Sequence, residues 1–220
     1  MSQDGLAYSF ADYTRGERIA DGIVHMLGVV ASIVAVTVIL VLSIGWQDGW
    51  TTLNLAIYGA GVVTVFAVSA AYHLTPVSPA KHVLRRFDHA AIFLKIAGTY
   101  TPFAALSIGG PWGAALLGSV WGIAAVGVPL KLSGWRRMER ISVALYLVQG
   151  WLILLAIGPL SNALGTAEVV LIVIGGLLYT IGVAFYLAKK LPFNNAIWHG
   201  FVLAASACMY ASIMRAVVLG

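Results

Sequence analysis

Seven apolar runs, each long enough to cross a bilayer, decide what this chain can fold into. They lie at approximately 23–44, 52–74, 88–108, 112–132, 141–160, 167–187 and 196–218. About 30 Å of hydrocarbon takes roughly 20 helical residues, since a helix rises ~1.5 Å per residue. The breaks between runs carry turn chemistry: "GWQDGW", "TPVSPAKH", "GGP", "KLSGWRRMER", "GPLSNALGT" and "KKLPFNN". Only 10% of the residues are charged, against about 25% in soluble domains. The expected fold is therefore an all-α integral membrane protein, a single seven-helix bundle over residues 1–220. The polar first 22 residues contain no cleavable signal peptide. The single cysteine, Cys208, forms no intrachain disulfide.

The net charge of +5 in a soluble protein would raise nucleic acid as a partner. Here the cations have a different distribution. Eleven of the thirteen flank one side of the expected bundle: Arg15, Arg18, Lys81, Arg85, Arg86, Lys131, Arg136, Arg137, Arg140, Lys189 and Lys190. Lys95 falls inside a span, and Arg215 lies near the other face. The excess of Lys and Arg in cytoplasmic loops predicts a cytoplasmic N-terminus and a C-terminus outside. The partners expected are membrane lipids, with no nucleic acid.

Helix direction then sorts the polar residues by depth. His25 begins the first span, Ser69 and His73 end the second, Asp88 and His89 begin the third, and Asn195 and His199 begin the seventh. Four of the five histidines thus share one depth near the cytoplasmic edge; His82 reads as a solvated loop residue. Ser69 and His73 are four apart, as are Asn195 and His199, so each pair shares a helix face. Glu17, Asp21 and His25 also recur every fourth residue, as an acidic stripe leading to His25.

Imidazoles converging with a carboxylate suit zinc, which takes three protein ligands and a water in catalytic sites. His73 and His199 are the candidate ligands, Asp88 the candidate base, and Ser69 a candidate hydrogen-bond donor to a ligand or an oxyanion. Each also has a structural reading. Asp88 suits a helix N-terminus and Asn195 a helix N-cap. Lys95 leans toward Asp88, seven residues earlier. Gln149 reads as a helix–helix hydrogen bond, Ala114, Gly118 and Gly122 as a close-packing ridge, and Pro102 as a kink in the third span.

Together "ERIADGIVH", "SAAYH", "RRFDHAAIFLKIAGTYTPF", "ALYLVQGW", "GGLLYTIGVAFY" and "KLPFNNAIWHGFVLAASAC" resemble the bacterial hemolysin III family. Its relatives include the progestin and adipoQ receptors and, more distantly, alkaline ceramidases. The resemblance covers nearly the whole chain. It implies a seven-helix bundle in the bacterial cytoplasmic (inner) membrane, with a Zn²⁺ site near the cytoplasmic face. By position it assigns the ligands to His73, His199 and position 195, the serine to Ser69 and the water-holding aspartate to Asp88. Position 195 is histidine in the family and Asn195 here, and an amide oxygen is a poor zinc ligand beside imidazole. Three outcomes stay open: weaker zinc binding by two histidines and waters, recruitment of His89 or His25 as third ligand, or no metal. Three functions follow as expectations. The first is a zinc-dependent hydrolase of lipid amides or esters, the second a non-enzymatic membrane sensor or homeostasis factor, and the third, ranked last, cytolysis.

Overall fold

The computed structural model describes residues 13–219, without the side chains of 136–140. Arg136, Arg137 and Arg140, three of the cations counted above, therefore lie outside the described side chains. Seven helices are long and apolar enough to cross a membrane, and no strand occurs among the described residues. The main α-helical stretch of each is labelled α1 (Arg15–Trp46), α2 (Gly49–Leu74), α3 (Pro79–Pro102), α4 (Gly110–Leu132), α5 (Arg136–Trp151), α6 (Thr166–Leu187) and α7 (Asn194–Ile213), and three of the spans run on through irregular turns, to Ile108, Ala163 and Val218. Exposed Val34, Val41, Ile44, Val126, Leu155 and Ile181 show why these helices suit lipid. Apolar side chains that would repel water face outward at little cost in hydrocarbon.

The first three helices start on side-chain caps. Thr14 and Glu17 form a reciprocal capping box on α1, Asp48 accepts from Thr51 N at 2.7 Å on α2, and Ser78 precedes Pro79 at the start of α3. Each satisfies backbone N–H groups that the first helical turn leaves without carbonyl partners. The turn from α3 to α4 places Gly109 and Gly110 at φ 61° and 53°, a region that side chains disfavour. α1 neighbours α2 and α7, while α6 neighbours α5 and α7, so the bundle closes on itself; α3 touches α2, α4 and α5.

Two helices lose regular α-geometry inside the bundle. After Pro102, which has no N–H to give, α3 widens into a π-turn over Phe103–Ile108, and Gly109 N donates to Ala104 O at 3.0 Å. The irregularity expected at Pro102 takes this form. α5 passes through a 3₁₀ stretch (Leu152–Ala156) into a short helix (Ile157–Ala163). At that break the buried Tyr100 hydroxyl donates to Gly150 O at 2.6 Å and accepts from Ile153 N at 2.9 Å. It replaces hydrogen bonds that the α-helix would have made to itself.

Several sequence expectations need correction. Asp88 does not start a helix: α3 begins at Pro79, placing Asp88 in its third turn. Asn195 is not the N-cap of α7; Phe193 is, in the left-handed region at φ 59°. The ridge of Ala114, Gly118 and Gly122 faces outward, and a Cβ added at Gly118 or Gly122 would meet nothing within 4 Å. Close packing lies instead between α2 and α3, where a Cβ at Gly98 would come within 3.2 Å of Ile57 O. Gln149 does bridge helices, donating to Phe93 O at 3.3 Å and Val120 O at 3.0 Å.

Candidate metal centre

α1, α2 and α7 each bring one histidine to the same point. The ring centroids of His25 and His73 stand 4.4 Å apart, those of His25 and His199 4.2 Å, and those of His73 and His199 4.8 Å. One ligand nitrogen from each lies within 4.8 Å of the others, so the three could hold a metal ion. His25 is 2% exposed. In a tetrahedral site with bonds of about 2.0–2.1 Å, nitrogens stand roughly 3.3 Å apart, so closure needs movements of no more than about 1.5 Å.

Three side chains fix this geometry. Glu17, which caps α1, also accepts from Phe193 N at 3.0 Å, tying the start of α1 to the start of α7. Lys81 Nζ donates to the carbonyls of Tyr72, His73 and Thr75, at 2.9, 3.3 and 2.6 Å. A cation there completes the C-terminus of α2, whose last carbonyls have no helical partner. Asn195 Nδ2 donates to Asp21 Oδ1 at 2.7 Å and lies 2.9 Å from His73 Nδ1, joining α7, α1 and α2.

Hydrogen bonding sets the tautomers. His25 Nδ1 donates to Asp21 O at 2.7 Å, and His199 Nδ1 donates to Asn195 O at 3.0 Å. Each ring's proton is then on Nδ1 and its lone pair on Nε2. Both Nε2 atoms lie 3.2 Å from the Ser69 hydroxyl. The Asp88 carboxylate stands beside the same hydroxyl and within electrostatic reach of His73. Ser69 has one proton for these acceptors, so electron pairs outnumber donors there. A cation suits that imbalance, and the donor set of imidazole with nearby carboxylate suits zinc.

Asp21 belongs to this cluster although sequence reasoning gave it no site role. Its Oδ2 is 3.1 Å from His73 Nδ1 and its Oδ1 3.4 Å from His25 Nδ1. The four-residue spacing of Glu17, Asp21 and His25 was the available signal; it reads as a stripe until α2 and α7 are placed beside it. His25, one of two alternatives for the third ligand, stands in the group. His89, the other, stands outside it, with Nε2 3.9 Å from Asp88 Oδ2. Asn195 contacts Asp21 and His73 through its amide nitrogen, which cannot ligate a metal.

A cavity of about 790 Å³ borders the cluster. Asp21, Ser69, His73, Asp88, Asn195 and His199 all line it. It reaches Glu17, Lys81 and Lys189 at the polar end of the bundle, and Tyr100 and Met209 in its apolar interior.

Such a bundle, with a histidine cluster against an intramembrane cavity, defines a multi-pass membrane protein with a candidate metal centre. The family described as "Haemolysin-III related" matches residues 15–210, and the chain belongs to it. It is 37% identical over 202 residues to "Hemolysin-3 homolog" of Bacillus subtilis (strain 168), covering 92% of this chain and 95% of that one. It is 36% identical over 198 residues to "Hemolysin-3" of Bacillus cereus, covering 90% of each. The human "Monocyte to macrophage differentiation factor" is 28% identical over 175 residues, covering 77% of this chain and 72% of the relative. No solved structure matches significantly.

Proposed function

We propose that this protein is a zinc-dependent hydrolase of lipid amides or esters, held in the bacterial cytoplasmic membrane with its site near the cytoplasmic face. The observation that carries this reading is the convergence of His25, His73 and His199 beside Ser69 and Asp88, at a cavity open to both polar and apolar surroundings. His25, His73 and His199 would hold the zinc. When bound, it supplies Lewis acidity toward a substrate carbonyl. Asp88 takes the proton of the attacking water, for which its place beside Ser69 and His73 suits it. The Ser69 hydroxyl turns its proton toward the oxygen on which charge develops. Apolar walls hold the lipid chain and exclude bulk water, while Lys81 and Lys189 favour anionic headgroups at the mouth.

Metal analysis after zinc repletion, alongside turnover of a lipid amide, tests the proposal. The wild type is expected to carry one zinc per chain and to lose zinc and turnover on His73→Ala. Repleted protein without zinc would sink the reading.

The contacts of Asn195 favour a second reading, a membrane sensor or homeostasis factor without turnover. An amide nitrogen 2.7 Å from Asp21 Oδ1 and 2.9 Å from His73 Nδ1 stands at the position where the family resemblance implies a histidine ligand. That reading expects His199→Ala to alter a membrane phenotype with no turnover in the wild type. Cytolysis, which the names of two relatives state, ranks behind both. Lysis of erythrocytes by detergent-free purified protein would raise it.

A further inference from the structure

Lys95 lies in the interior of α3, 6% exposed, and borders the same cavity as the histidines. The sequence placed it against Asp88. It turns instead to α6 and α7, where its Nζ donates to Tyr179 Oη and, at 2.8 Å, to Ser206 Oγ. The Tyr179 and Phe66 rings stand 4.3 and 5.6 Å from Nζ. Among the described residues no carboxylate forms an ion pair with it. Two neutral hydroxyls and two ring faces solvate an ammonium without neutralising it. A cation inside hydrocarbon is costly, and such residues pair or mark a ligand path.

The donors converge. Tyr179 Oη and Ser206 Oγ are 3.0 Å apart, and both contact Nζ. The ammonium brings one unit of positive charge and a third N–H beyond the two already given. The wall of the same cavity carries apolar Val65, Phe66, Ile92, Ile96, Val183 and Met209. Asp88 and Lys95 are seven residues apart on one helix, so this station lies ~10 Å deeper than the histidine cluster. One cation beside hydroxyls and a greasy wall matches a singly charged headgroup on a long apolar tail. A phosphate monoester would bring more charge than the station balances.

We propose that Lys95, with Tyr179 and Ser206, binds the carboxylate of a long-chain fatty acid whose tail occupies the apolar part of the cavity. The inference stands apart from hydrolysis. The acid can enter from the bilayer or arise within the cavity, and its carboxylate meets the same donors.

Native mass spectrometry of the full chain released from detergent micelles, titrated with oleate, methyl oleate or hexadecyl phosphate, tests this. Wild type is expected to retain oleate at concentrations about tenfold lower than methyl oleate, the scale of a charge-assisted hydrogen bond. Lys95→Met should abolish that preference and Lys95→Arg should keep it. Tyr179→Phe, which leaves the cation in place, should weaken it. His73→Ala should retain it, since the histidines are not the carboxylate's partners. Equal retention of acid and ester by the wild type overturns the proposal, as does an unchanged preference in Lys95→Met. Loss of the preference in His73→Ala alone moves the carboxylate to the histidine cluster. Tighter retention of hexadecyl phosphate than oleate replaces the ligand class.

Discussion

Asn195 and His25 present one question at the scale of single residues. Three imidazoles converge although position 195 supplies an amide, because α1 brings His25 into the gap. A histidine at 195 would stand one turn before His199 on the same face, beside Asp21 and His73. Asn195→His is therefore expected to tighten zinc binding by about tenfold or more, the scale on which groups around a metal tune its affinity. Competition with a chromophoric chelator measures it. In that background His25→Ala should keep zinc, whereas His25→Ala alone should lose it. Equal affinity of wild type and Asn195→His would mean that position 195 does not reach the ligand sphere. Helix direction made His73, His199, Ser69 and Asp88 readable as one depth. It did not make Asp21 readable, because a carboxylate four residues before a histidine has the same pattern whether it faces lipid headgroups or a neighbouring imidazole.

Among the elements, α2 and α3 form the wall on which Ser69, His73 and Asp88 stand, and their approach is set by missing side chains. A Cβ at Gly98 would press on the Ile57 carbonyl, which belongs to a helix backbone and cannot turn aside. Gly98→Val is expected to destabilise the bundle by about 1–3 kcal/mol, the usual cost of overpacking. Gly118→Val, with nothing within 4 Å of its Cβ, should stay within about 0.5 kcal/mol of wild type. Unfolding in mixed micelles titrated with SDS compares them, and equal effects would show that the two helices can separate at little cost. The break in α5 carries a second expectation. Tyr100→Phe leaves Gly150 O and Ile153 N without the hydroxyl that serves both, and should cost about 1–3 kcal/mol in the same assay. Helix number was legible because apolar length is a local property of the chain. The outward ridge at Gly118 and Gly122 was not, since small residues suit a helix contact and a lipid face equally. The break at Leu152–Ala156 had a local signal in Pro159, which leaves Leu155 O without its helical donor, but the Tyr100 hydroxyl that bonds there comes from fifty residues away.

For the whole molecule, the two ends of the bundle differ in charge, and the site lies at the charged end. Glu17, Lys81 and Lys189 border the mouth of the cavity. At the opposite end Arg215 is paired, its Nε 2.7 Å from Glu168 Oε1, so it contributes less net charge there. Part of the basic excess is structural too: Lys81 closes the C-terminus of α2 while serving as a flanking cation. Only the flanking role bears on orientation, because Lys and Arg are retained on the cytoplasmic side during insertion. With seven spans the termini would fall on opposite sides, and the orientation we propose puts the N-terminus in the cytoplasm. A C-terminal alkaline phosphatase fusion should therefore be active, and a C-terminal green fluorescent protein fusion dark, in a bacterium that exports through the general secretion route. The reverse pattern would place the histidine cluster at the outer face and remove the cytoplasmic leaflet as the source of its lipid. Reversing the charge of Lys189 and Lys190 together is expected to weaken the bias without inverting it, since nine of the eleven flanking cations remain.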